Sequence, residues 1–132
     1  MQWEDFKGEW RINRQIEDFV ASETSSFTGR AEFTPDGDRY AYFERGTLQT
    51  AGRLLLAERR YVWQREDEEI SVLFEDGRPF HRFSLEGDAE ASHFCDPDTY
   101  DVNYSFAENA WSAVWRVKGP RKDYRMESSY QR

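Results

Sequence analysis

The sequence predicts an all-β fold: a closed, antiparallel, up-and-down barrel of about ten strands behind a short N-terminal helical turn. Three observations carry that prediction. Apolar residues recur with a period of two along most of the chain, as in a strand with one buried face. Gly, Pro, Asp and Asn gather between the alternating segments, where turns need positive φ or a side chain that bonds its own backbone. Aromatic residues make up 17% of the chain, enough rings to fill an interior although 33% of residues are charged, which separates the chain from disordered sequences.

The elements follow in order. Trp3 and Phe6 stand three apart and suit one helical turn that plugs an end of the barrel. Extended segments are expected at 9–17, 26–34, 39–48, 53–65, 69–74, 80–85, 89–95, 99–105, 110–118 and 123–131. Pro35-Asp36-Gly37-Asp38 and Glu86-Gly87-Asp88 read as hairpin turns. Pro79, Pro97 and Pro120 stand between segments, where a missing N–H breaks no ladder. Ten strands joined by short turns can close on themselves, which removes both edges and leaves an interior wider than side chains fill. A solid two-sheet sandwich is the competing architecture. At 132 residues the expectation is one domain over 1–132.

Strand parity assigns the interior. Trp10, Ile12 and Ile16 share a face with Arg14; Phe27, Gly29, Ala31 and Phe33 form the next; Tyr40 and Tyr42 bring Glu44, although Ala41 and Phe43 leave that strand ambiguous. Tyr61 and Trp63 bring Arg59, and Phe83 brings His81. Ala91 goes with His93 and Cys95, and Tyr100 with Val102 and Tyr104. Trp111, Ala113, Trp115 and Val117 form one face, and Tyr124, Met126, Ser128 and Tyr130 another. Buried charge costs several kcal/mol unless paired, so Arg14, Arg59, Glu44, His81 and His93 must be internally satisfied, wet or ready for a ligand. Two readings follow: a structural ion-pair network, or a polar lumen in which Arg and Tyr orient a small anionic or aromatic ligand and Trp63, Trp111 and Trp115 stack on it.

In an up-and-down barrel the turns after odd-numbered strands share one mouth. That mouth then collects Asp76-Gly77-Arg78-Pro79-Phe80-His81, the run from His93 through Tyr100, and Lys118-Gly119-Pro120-Arg121-Lys122-Asp123-Tyr124. The candidate ligand-binding residues are accordingly Arg14, Tyr42, Glu44, Arg59, Tyr61, Trp63, His81, His93, Tyr104, Trp115 and Tyr124. His81 or His93 as general acid or base in a lyase or isomerase reaction is the alternative, and a ligand-free interaction module is the third. The spacings of familiar zinc motifs, a phosphate-cradling Gly loop and a Gly-x-Ser-x-Gly elbow do not occur, so neither a cofactor nor a metal is expected, and Cys95 reads as a buried, inert thiol.

A net charge of −8 opposes docking on nucleic acid or anionic lipid, so neither is expected as a partner. An outer barrel face leaves room for a homodimer. The lone Cys95 excludes an intrachain disulfide framework, and the start Met1-Gln2-Trp3-Glu4-Asp5 has neither a basic nor an apolar leader region. A cytoplasmic setting is the expectation.

Three resemblances bear on this reading. Gly8-Glu9-Trp10 with Arg132 resembles the calycin pattern of lipocalins and fatty-acid-binding-like barrels, which implies an early Gly-x-Trp packed beneath a late cation. Gly8-x-Trp10, Arg14, Tyr42-x-Glu44-x-Gly46, Tyr61-x-Trp63, Asp76-Gly77-Arg78-x-Phe80-His81, His93-x-Cys95-x-x-Asp98-x-Tyr100 and Gly119-Pro120-x-Lys122-Asp123-Tyr124 resemble a bacterial domain family of unknown function. That resemblance implies a calycin-like barrel and supplies no activity. Ten-stranded, haem-binding nitrobindin-like barrels are a more distant likeness. It implies an iron-ligating His, a role open to His93 or His81, but inward charges disfavour an apolar porphyrin.

Overall fold

A computed structural model describes residues 1–86 and 89–132. After a 3-10 turn over Trp3–Phe6, ten strands follow: β1 (Gly8–Asp18), β2 (Glu23–Asp36), β3 (Arg39–Thr50), β4 (Arg53–Glu66), β5 (Glu69–Phe74), β6 (Pro79–Ser84), β7 (Ala89–Cys95), β8 (Asp98–Ala107), β9 (Ala110–Lys118) and β10 (Asp123–Gln131). Each expected segment is present, with ends moved by at most a few residues. Gly87 and Asp88 of the expected Glu86-Gly87-Asp88 turn lie outside the described residues. No described helix is long and apolar enough to cross a membrane.

All ten strands form one antiparallel sheet in the order β6-β5-β4-β3-β2-β1-β10-β9-β8-β7. Sequential neighbours pair, and β1 pairs β10, with Ile12 opposite Tyr130 and Arg14 opposite Ser128. This is a meander curled on itself, which excludes the sandwich. Closure is nearly but not fully achieved: among the described residues no ladder joins β6 to β7. Side chains bridge that seam instead. Small Ala89 and Ala91 on β7 let β6 reach β8, so Phe83 stacks on Tyr104 at 4.3 Å, while Phe80 meets His93 edge-on at 5.4 Å.

The interior follows the expected parity. Trp10, Ile12, Phe27, Ala31, Phe33, Tyr40, Tyr42, Trp63, Val102, Tyr104, Trp111, Ala113 and Tyr130 are buried, and the ambiguous β3 presents Tyr40, Tyr42 and Glu44. One end is sealed. Phe6, fully buried, fits among Phe33, Trp63, Phe106 and Trp111 at 5.3–6.0 Å. Trp10 Nε1 donates to the Phe6 carbonyl at 2.9 Å. Arg132 lies 4.0 Å above the Trp10 ring and donates to the carbonyls of Lys7, at 2.6 Å, and Asp5. Gly8 adopts φ +103° beneath that guanidinium, where a Cβ would come within 3.2 Å of Nη1. The plug, the first strand and the last strand are thus pinned together.

Gly29 on β2 faces Gly46 on β3. A Cβ on either would lie 2.3 Å from a carbonyl oxygen of the other strand, so only glycine allows this close approach of the two backbones. Beyond it β3 and β4 run past the barrel rim. β5 pairs with β4 only over Tyr61–Glu66, leaving Arg53–Arg60 as an edge with Leu54 and Leu56 71% and 79% exposed.

Candidate functional site

The unplugged end gathers the turns after β1, β3, β5, β7 and β9, and a cavity of about 280 Å³ opens there. All eleven candidate residues line it: Arg14, Tyr42, Glu44, Arg59, Tyr61, Trp63, His81, His93, Tyr104, Trp115 and Tyr124. The structure sorts them into a spent charge cluster, a buried polar pair and an aromatic mouth.

The charge cluster is the wall formed by β1, β3 and β10. Arg14 grips Glu44 with two hydrogen bonds, Nη1 to Oε2 at 2.6 Å and Nη2 to Oε1 at 3.0 Å. Its Nε donates to Ser128 Oγ at 2.7 Å and Nη2 also to Tyr130 OH at 3.2 Å. Tyr42 donates to Glu44 Oε1 at 2.6 Å. Burial opposes the Arg14 charge, but the facing Tyr130 and Glu44 oxygens outweigh it and hold the cation. Burial likewise raises the Glu44 carboxyl, and hydrogen bonds and charge from Arg14, with the Tyr42 hydroxyl, more than offset it, leaving it below the usual carboxylate range. Arg14 and Glu44 are therefore an internally satisfied pair with little left to offer an anion.

Arg59 was expected to share this interior. It is exposed instead, because β4 overhangs β5 from Tyr61 upward and carries the side chain to the rim. There it makes no ion pair among the described residues. Two other mouth cations are engaged: Lys122 sits 3.2 Å from Asp98 and donates to Tyr100 OH, and Arg78 bonds Asp76. Cys95, expected to be buried, is exposed, since β7 ends there at the mouth.

The polar pair lies deeper. His81 and Tyr104 are both buried, and Nε2 and the phenol oxygen are 2.6 Å apart. Burial, and then the charge on His93, push the His81 ring down to about 3, so it is neutral at physiological pH. Burial also raises the Tyr104 phenol well above its ordinary value. Such a pair offers hydrogen bonds rather than charge.

The mouth is aromatic. Phe80 stacks on Trp115 at 5.2 Å and 8°, on Phe74 at 4.7 Å and on Tyr61 at 5.7 Å. Alternation misses Phe80, because His81 and Phe83 own the inward parity of β6. A register shift explains it: Val72 faces His81 while Leu73 faces Pro79, so Phe80 is the extra residue of a bulge, which re-aims its side chain. Phe74, also passed over, has the parity of Ile70 and Val72, and that was the available signal. No cluster of three His, Cys, Asp or Glu suited to a metal ion occurs among the described residues.

Fold and cavity define the molecule as a nearly closed β-barrel with one sealed end and one open, ring-lined end. The chain belongs to the family described as "Family of unknown function (DUF6314)", whose model matches residues 6–132. No curated protein matches the sequence. Among solved structures it is similar to a "REP1-NXSQ fatty acid transporter", at a TM-score of 0.42 and 14% identity, over 98% of this chain and 96% of that one.

Proposed function

We propose that the barrel binds one small aromatic molecule with a polar or anionic group, held in the lumen. The observation that carries this reading is the cavity of about 280 Å³ at the unplugged end, ringed by Tyr61, Trp63, Phe80, Trp115 and Tyr124. Ligand sites span roughly 300–1,000 Å³, so the space suits a compact ring system rather than a long chain. Stacked rings at the mouth favour a planar guest. Arg59 supplies a cation for an acidic group at the rim, and His93 stands across the β6–β7 seam, 5.4 Å from the Phe80 ring. His81 and Tyr104 offer neutral hydrogen bonds further in. Arg14, Glu44 and Tyr42 act as a rigid wall whose charges cancel.

The test is a thermal-shift screen with benzoate, indole-3-carboxylate and nicotinate, beside native mass spectrometry of gently purified protein. A ligand at about 100 times its Kd adds about 2.7 kcal/mol, and the Arg59→Gln variant should respond less to each acid. No shift with any of the three, and no retained small molecule, would end the reading.

A further inference from the structure

Two buried N–H-bearing atoms of the cavity wall have no partner among the described residues: Trp111 Nε1 and His81 Nδ1. Both residues line the lumen and are only 4% and 8% exposed. Trp111 Nε1 is a donor only. For His81, the bond to Tyr104 decides the role. If Nε2–H donated to the phenol oxygen, two buried functions would be left over, the phenol proton and the Nδ1 lone pair. If the phenol donates to Nε2, a single one is left, Nδ1–H. Unmade buried hydrogen bonds are expensive, so the second arrangement prevails and Nδ1 carries the proton. The two rings that carry these donors both adjoin Tyr104, whose centroid is 5.8 Å from that of His81 and 6.3 Å from that of Trp111.

A negative charge would find poor company there. Glu44, Ser128 and Tyr130 take four of the five N–H donors of Arg14, Glu44 cancels its charge, and the imidazole is neutral. Arg59, which lines the cavity and makes no ion pair among the described residues, is at the rim.

We propose that the ligand enters with a neutral acceptor oxygen leading, paired with the Trp111 and His81 N–H groups, while its acidic group remains beside Arg59. This rests on the lumen-binding reading above and deepens it. It fixes the orientation and the chemical class: a planar aromatic acid whose far end is a ketone, aldehyde or amide carbonyl.

Isothermal titration with 4-acetylbenzoate and its near-isostere 4-isopropylbenzoate tests this on the full chain. The ketone should bind about tenfold tighter or more, since a site built to donate rejects an analogue that leaves its donors unpaired. Trp111→Phe and His81→Phe should each narrow that gap, and the wild-type comparison stands even if neither variant folds. Equal or tighter binding of the isopropyl compound overturns the inference and leaves lumen binding intact; a carboxylate-first pose would give that result too. Failure of both compounds where benzoate binds also overturns it. Failure of both compounds and of the whole screen refutes lumen binding itself.

Discussion

Acidification from about pH 7.5 to about pH 5 should destabilise the fold by about 2 kcal/mol through His81 alone. The ring titrates near 6.5 in the unfolded chain and is pushed down to about 3 in the folded one, by burial and by His93. Between those values the unfolded chain binds a proton that the folded chain refuses, so acid favours unfolding. At about 1.36 kcal/mol per pH unit, the loss reaches about 2 kcal/mol near pH 5, and approaches about 5 kcal/mol below both values. Glu44 acts lower. Its folded carboxyl is held below the usual range, so its contribution is present above the unfolded value of about 4.3 and is lost as pH falls through the folded one. Urea unfolding, followed by tryptophan fluorescence at both pH values, measures the loss for the wild type and for His81→Gln, which still offers Tyr104 a partner. The variant should lose about 2 kcal/mol less than the wild type. An identical acid loss in both would show that His81 does not take up the proton on unfolding.

Glu44→Ala strands the Arg14 cation and should cost about 3–5 kcal/mol, whereas Arg14→Met combined with Glu44→Leu should be more stable than Glu44→Ala alone; chemical denaturation decides the order. Gly46→Ala places a methyl 2.3 Å from the Thr28 carbonyl oxygen and 2.7 Å from Phe27, and an apparent loss of about 1–3 kcal/mol is expected from the forced shift, read as a lower urea midpoint. Leu54→Thr with Leu56→Thr, on the edge of β4 that β5 does not cover, should leave stability within about 0.5 kcal/mol and slow aggregation on heating, as followed by light scattering.

The ten strands were legible because most buried faces repeat at the pleat period, and runs such as Phe27-x-Gly29-x-Ala31-x-Phe33 admit one register. The same parity brought Arg14, Glu44, His81 and Tyr104 inward. What it does not encode is how far each strand reaches beyond its neighbours. Arg59 has inward parity but sits above the end of β5, and Cys95 has inward parity but ends its strand at the mouth. Parity is also blind to a bulge, which turned Phe80 into the cavity beside His81. Pairing preferences are equally hidden: two inward charges do not announce that they will consume each other, yet the Arg14–Glu44 pair moves the available polarity to His81, Trp111 and the rim. The seam between β6 and β7 depends on small Ala89 and Ala91, whose effect appears only once their neighbours are in place.

If the lumen, and no other surface, receives the guest, only the tryptophans that line it should sense binding. Proton–nitrogen correlation spectra record the indole N–H groups of the five tryptophans. Three of these residues, Trp63, Trp111 and Trp115, line the cavity, and Trp3 and Trp10 do not. On titration with 4-acetylbenzoate, the first three signals should move along saturating curves with one shared Kd while those of Trp3 and Trp10 stay still. Movement confined to Trp3 and Trp10, or unsaturating drift of all five signals, would contradict the account.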